Sequence, residues 1–132
     1  MSRIRLGALI GLIALSGCTT RPEEYVEAAR AQRKAIEQIR NLLADIKDEK
    51  DMQKAKEELD RRFDAFEEIA RKAQALPKPP PPEALSLLED ETRPSQRAVD
   101  GLIEEIQRVR ALPGGERFFE QYQPRPLLGR QP

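Results

Sequence analysis

Apolar residues recur at three- and four-residue spacing along most of this chain, in blocks separated by charged or proline-rich stretches. Over residues 22–47 the apolar set is Tyr25, Ala29, Ile36, Ile39, Leu43 and Ile46, preceded by Pro22, Glu23 and Glu24. Proline suits a first helical turn, and acids there oppose the positive end of the helix dipole. The block therefore predicts an amphipathic helix. A second block spans residues 51–76, with Met52, Ala55, Leu59, Phe63, Phe66, Ile69, Ala70, Ala73 and Leu76 on helical spacing, and stops at Pro77.

These two blocks do not share one face. On a continuous wheel at about 100° per residue, the apolar stripe jumps by roughly 150° across residues 47–51. One rod would carry two seams on opposite sides, whereas a break lets both seams meet. The pattern predicts an antiparallel hairpin, with Asp48 or Asp51 capping the second helix. Residues 47–51 contain neither glycine nor proline, so phase and capping alone carry this expectation.

Acid-first pairs at i, i+4 decorate the second helix: Glu57 and Arg61, Glu58 and Arg62, Glu67 and Arg71, Glu68 and Lys72. Each adds only about 0.2–0.5 kcal/mol, as expected of a solvated face. Arg62, next to Phe63, borders the seam and covers it with its stem.

Residues 77–82, Pro-Lys-Pro-Pro-Pro-Pro, must leave the helix because proline lacks an amide donor and disfavours helical geometry in its predecessor. An extended polyproline II connector is predicted. A short helix over residues 83–91 follows, with Ala84, Leu85, Leu87 and Leu88. Pro94 interrupts or kinks the chain, and Thr92 or Ser95 caps a further helix over residues 94–112, striped by Val99, Leu102, Ile103, Ile106 and Val109. Gly101 lies inside that helix at a cost of about 1 kcal/mol relative to alanine. Pro113, Gly114 and Gly115 stop it.

In residues 113–132 the aromatic group Phe118, Phe119 and Tyr122 is expected to fold onto the bundle as a lid, with an exposed partner-binding patch as the alternative. Residues 123–132, which include Pro124, Pro126, Gly129 and Pro132, read as an extended, mobile tail. The fold class predicted is all-α: a hairpin plus a third helix forming a small three-helix bundle over residues 22–112, with a flexible C-terminal tail.

Ahead of the bundle, Arg3 and Arg5 precede an apolar run over residues 6–15 and then Leu15-Ser16-Gly17-Cys18. That run is shorter than the roughly 20 residues a membrane span needs. It fits an export signal, residues 1–17. Leu15-Ser16-Gly17-Cys18 resembles the lipobox of bacterial lipoproteins. The resemblance implies that signal peptidase II reads Leu15, Ser16 and Gly17 and that Cys18 becomes the first mature residue, carrying a diacylglycerol. Residues 18–21 are then a lipidated tether. Thr19, rather than aspartate, follows the cysteine, which implies the periplasmic face of the outer membrane in a host with two membranes.

Composition removes several chemistries. The 132 residues include 23 basic and 23 acidic side chains, no histidine and one cysteine. Only Arg3 and Arg5 precede Cys18 among the charged residues, so the mature chain carries 21 bases against 23 acids, a poor balance for nucleic acid. With Cys18 used as the lipid site, the usual ligands of zinc, iron-sulfur and haem-thiolate centres are missing, as are Cys/His nucleophiles and internal disulfides. The adjacent acids Glu23/Glu24, Glu57/Glu58, Glu67/Glu68 and Glu104/Glu105 fall on exposed helix faces, where nothing raises a carboxyl pKa for general-acid work. Ser86 and Ser95 have no histidine to activate them. No catalytic residue, metal site or cofactor is expected beyond the covalent lipid on Cys18.

From Asp45 to Gly115 the body is similar to short helical bacterial lipoproteins and secreted proteins with no assigned activity. The resemblance lies in Asp48, Ala55, Leu59 and Arg62 after a helix, the exit Leu76-Pro77-Lys78-Pro79 with Glu83, and Arg108-Val109 before Pro113-Gly114. Pro94 and the long proline run depart from that pattern. No site residue follows from it.

The expected function is a lipid-anchored envelope protein with a structural or interaction role, its partners the membrane and another envelope protein, with a homo-oligomer allowed. Pro79, Pro80, Pro81, Phe118, Phe119 and Tyr122 are the candidate partner-binding residues. Two other readings stay open: an envelope-spanning coiled-coil coupler resembling spanins or conjugative exclusion lipoproteins, and a small module holding an apolar ligand between helices.

Overall fold

A computed structural model describes residues 20–122. The export signal, Cys18 and the tail over residues 123–132 lie outside the described residues. Within them the chain is helical, without strands: α1 (Pro22–Ala44), α2 (Glu49–Gln74), α3 (Pro82–Arg110) and the short α4 (Gly115–Glu120). At 1.5 Å per residue the three long helices measure about 35, 39 and 44 Å.

The hairpin forms, and its turn is built without glycine or proline. Asp48 is the N-cap of α2, its side chain accepting the Asp51 amide at 2.8 Å, while the Asp51 carboxylate accepts the Lys47 amide at 3.0 Å. This reciprocal pair satisfies amides that the first turn leaves without partners. Helix α1 ends at Ala44, before the expected residue 47. Ile46 still reaches the core, 1 % exposed, but from the turn. At the other end the Tyr25 hydroxyl donates to the Pro77 carbonyl at 2.6 Å, joining the start of α1 to the exit of α2. The two helices are therefore antiparallel.

The linker is not one straight polyproline II rod. The chain bends at Lys78 and Pro79, whose peptide bond is cis, and Pro81 has polyproline II angles (φ −65°, ψ 156°). Pro82 already belongs to α3, at a position where its missing amide costs nothing.

The segments expected over residues 83–91 and 94–112 are one continuous helix, α3, with Pro94 inside it. Proline there forfeits the bond to the carbonyl four residues earlier. Tertiary packing overrides that loss. Ala84, Leu88, Glu91, Ser95, Ala98, Leu102, Ile106 and Val109 are buried or half-buried and keep one helical phase straight through Pro94. Thr92 and Ser95, expected as caps, sit within the helix, and the Thr92 hydroxyl donates back to the Leu88 carbonyl at 3.1 Å.

Helix α1 packs along both α3 and α2, and α3 also carries α4. Because Glu91 meets Arg30 and Arg33 while Arg108 meets Leu43 and Ile46, α3 runs parallel to α1. The order is up, down, up. Gly101 has a packing reason: a Cβ there would stand 2.9 Å from the Arg40 side chain, which crosses α3 at that point. Gly114, at φ 80°, turns the chain into α4 where a Cβ would strike Glu49.

The core is concentrated in the half of the bundle farther from the Pro77–Pro81 linker. It joins Ile36, Ile39, Leu43 and Ile46 to Met52, Leu59 and Phe63, to Ala98, Leu102, Ile106 and Val109, and to Phe118, Phe119 and Tyr122. On the near half of α2, Ile69, Ala70, Ala73 and Leu76 are only half-buried. A large-to-small change should therefore cost more in the core, which Phe63 joins at the middle of α2, than towards the linker. Phe63→Ala is expected to lower the unfolding free energy by about 3–5 kcal/mol. Ile69→Ala should cost less, about 1–2 kcal/mol, since its side chain keeps partial contact with water in the folded protein. Urea denaturation of the two variants compares them directly.

Candidate functional site

The polar features of the bundle hold helices together. Glu91, 7 % exposed, projects from α3 onto α1 and accepts from Arg30 Nε at 2.8 Å and from Arg33 Nε at 3.1 Å. Arg33 continues the chain to Glu37 Oε1 at 3.2 Å. The Arg30 hydrogen bond holds the Glu91 carboxyl below its ordinary range, against desolvation, with Arg33 adding to the same effect. Arg33 is raised in turn by its bonds to Glu37 and Glu91. A carboxylate kept ionised between two guanidiniums has no proton to donate at neutral pH.

A second polar tie closes the far end. Arg108 of α3 donates through Nη2 to the Leu43 carbonyl at 2.7 Å and through Nη1 to the Ile46 carbonyl at 2.9 Å, and its Nε reaches Glu105 at 2.7 Å. The last carbonyls of a helix have no partner within it and carry the negative end of its dipole. Arg108 supplies a cationic cap from a neighbouring helix.

The candidate partner-binding residues divide. Phe118, Phe119 and Tyr122 do not form an exposed patch: they are 5 %, 2 % and 1 % exposed. Tyr122 stacks at 5.0 Å on Phe63 of α2, Phe118 meets Tyr122 at 5.5 Å and Phe119 at 5.3 Å, and the Arg110 guanidinium lies 5.5 Å over Phe119. The aromatic lid is therefore part of the core. Burial of this apolar area outweighs anything a solvated patch offers the free protein. Pro79 is exposed, while Pro80 and Pro81 are half-buried at the linker end.

On α2, three of the expected i, i+4 pairs lie within ion-pair range: Glu57–Arg61 at 3.9 Å, Glu58–Arg62 at 2.9 Å and Glu68–Lys72 at 4.0 Å. Arg71 pairs with Glu68, which is held below its ordinary range chiefly by that hydrogen bond. Arg62 also reaches across the hairpin to Gln38 at 3.0 Å, so it does border the seam.

Two surface depressions accompany these contacts. One of about 290 Å³ is lined by Glu37, Arg40, Asn41, Pro94, Arg97 and Ala98. The other, about 300 Å³, lies between the start of α2 and α4 over Met52, Phe118 and Arg117. The first is walled mainly by charged and amide groups, which suits a polar ligand better than an apolar one. Among the described residues no three acids or thiols gather as metal ligands, and no helix is long and apolar enough to cross a membrane. The chain matches no protein-family model, no curated protein and no solved structure.

Glu91 carried a readable sign in the sequence. It occupies a seam position between Leu88 and Ala98, where a charge must find a partner. Its consequence is measurable. Because its folded pKa lies below the ordinary carboxyl value of 4.5, the stability it contributes is complete above that pH and lost as pH falls through the folded value. Glu91→Gln should cost about 1 kcal/mol at pH 7. The gap to the unaltered protein should narrow towards pH 3, as read by denaturation at both pH values. Arg108→Ala should cost about 1–2 kcal/mol, because it leaves the Leu43 and Ile46 carbonyls without their charged donor. Arg108→Lys should recover only part, since an ammonium lacks the forked geometry that spans two carbonyls.

Proposed function

We propose that this protein is a lipid-anchored helical module of the bacterial envelope, with a structural or protein-interaction role and no catalytic step. The observation that carries the reading is Leu15-Ser16-Gly17-Cys18, placed after Arg3, Arg5 and the apolar run and directly before a folded body that starts at Pro22. A diacylglycerol on the Cys18 sulfur holds a small domain at a bilayer far more firmly than one acyl chain would. With Thr19 next, the address is the periplasmic face of the outer membrane in a host with two membranes.

The fold supports an interaction role over the two alternatives. The Tyr25–Pro77 bond and the shared aromatic core favour a closed bundle over an opened coiled-coil coupler. With the three aromatics buried, the surfaces open to a protein partner include exposed Pro79 and the charged outer face of α2, where Glu57 and Arg61 stand in solvent.

Cys18→Ala tests the anchor. The variant should keep its signal segment uncleaved and lose the lipid, because signal peptidase II acts on the lipidated cysteine. A variant that still fractionates with membranes at the normal mature size would sink the reading.

A further inference from the structure

We propose that the linker end of the bundle rests on the lipid surface that holds Cys18, with Leu85 and Leu87 as its apolar contacts. This rests on the anchored reading above. Helix α1 begins at Pro22, and the Tyr25–Pro77 bond places the linker beside that beginning. Helix α3 starts there too, at Pro82, and runs parallel to α1. Pro22 lies four positions after Cys18, a reach of about 14 Å when fully extended. The tether therefore keeps this end, and not the end carrying α4, next to the bilayer.

Among the described residues the exposed large apolar side chains are Leu85 at 51 %, Leu87 at 41 % and Ile103 at 47 %. Two of them fall at the tethered end. Leu85 and Leu87 lie about 5 and 8 Å along the α3 axis from Pro82. Helical side chains lean towards the N-terminus, so both lean towards the proposed lipid surface. At the same end Pro79 is exposed, and Ile69 and Leu76 are only half-buried. Arg21 and Lys78 stand among Glu23, Glu24 and Glu83 at this end, so an approaching lipid surface meets no basic patch. Apolar contact is the driving term.

Ile103 supplies an internal control. It is 18 residues beyond Leu85, five full turns at about 3.6 residues each, and so lies on the same face of the same helix about 27 Å farther from the linker. Leu85→Cys, Leu87→Cys and Ile103→Cys place single thiols at exposed sites. In the lipidated protein the Cys18 sulfur is a thioether and takes no thiol reagent. Each full-length, membrane-purified variant would carry the environment-sensitive fluorophore NBD in vesicles of phosphatidylethanolamine and phosphatidylglycerol containing a headgroup-proximal doxyl-lipid quencher.

Labels at 85 and 87 should emit at shorter wavelength and be quenched at least about threefold more than the label at 103. Equal quenching at all three positions, with the protein of unaltered sequence refusing the reagent, overturns the docked end while leaving the anchor standing. If the unaltered protein takes up the reagent at Cys18, the anchored reading falls and the docked end falls with it.

Discussion

Helix α1 has to bury two faces at once, and every other element is placed by that requirement. Ile39 and Leu43 are fully buried because α2 covers one side of α1 and α3 the other, while direct packing of α2 on α3 is sparse. Two parallel helices cannot be joined by a short turn. The chain must travel the length of α1 to bring α3 back beside its start, and α2 with the proline linker is that return path. The hairpin turn, the bend at Lys78 and the start of α3 at Pro82 follow from this single need.

Apolar seams permit slippage by a helical turn, and polar contacts along α1 and α3 oppose it. Glu91 on Arg30 and Arg33, Gly101 under Arg40, and Arg108 on the Leu43 and Ile46 carbonyls all agree on one register between the helices. Sliding α3 by one turn would leave Glu91 without its arginines, drive a side chain against Arg40 and strip the far end of α1 of its cap. Each contact alone adds modest stability, because both arginines facing Glu91 keep some access to water. Their joint effect is on specificity, the role for which buried charge is best attested.

Much of this architecture was legible in the sequence because it rests on period. The phase jump across residues 47–51 marked the hairpin, and Asp48 capped α2 as its position suggested. The same phase reasoning across Pro94 would have shown one uninterrupted helix. It was hidden because the seam there is Glu91 and Ser95, polar residues that break an apolar stripe without breaking its phase. The seam position of Glu91 is readable but its partners are not, since they stand some sixty residues earlier and no local spacing joins them. The aromatic lid is a further case. Phe118, Phe119 and Tyr122 follow a helix end at which composition alone does not separate a lid from a patch, and Phe63, the ring that receives Tyr122, is far away in sequence.

The two ends of the bundle are built differently, and the difference has physical content. At the far end a deep core, an aromatic lid and the Arg108 cap converge. At the linker end the buried set thins to Tyr25, Val26 and Ala84, with leucines left in solvent. A free protein would gain stability by covering those leucines, since apolar area removed from water stabilises by about 25 cal/mol per Å². If the chain is tied to a bilayer at Cys18, as proposed, the bilayer would offer that cover without any protein atom being added. On this reading the thin end belongs to the fold in its tethered state. A surface held next to Pro22, as proposed, would complete what α1, α2 and α3 leave open there.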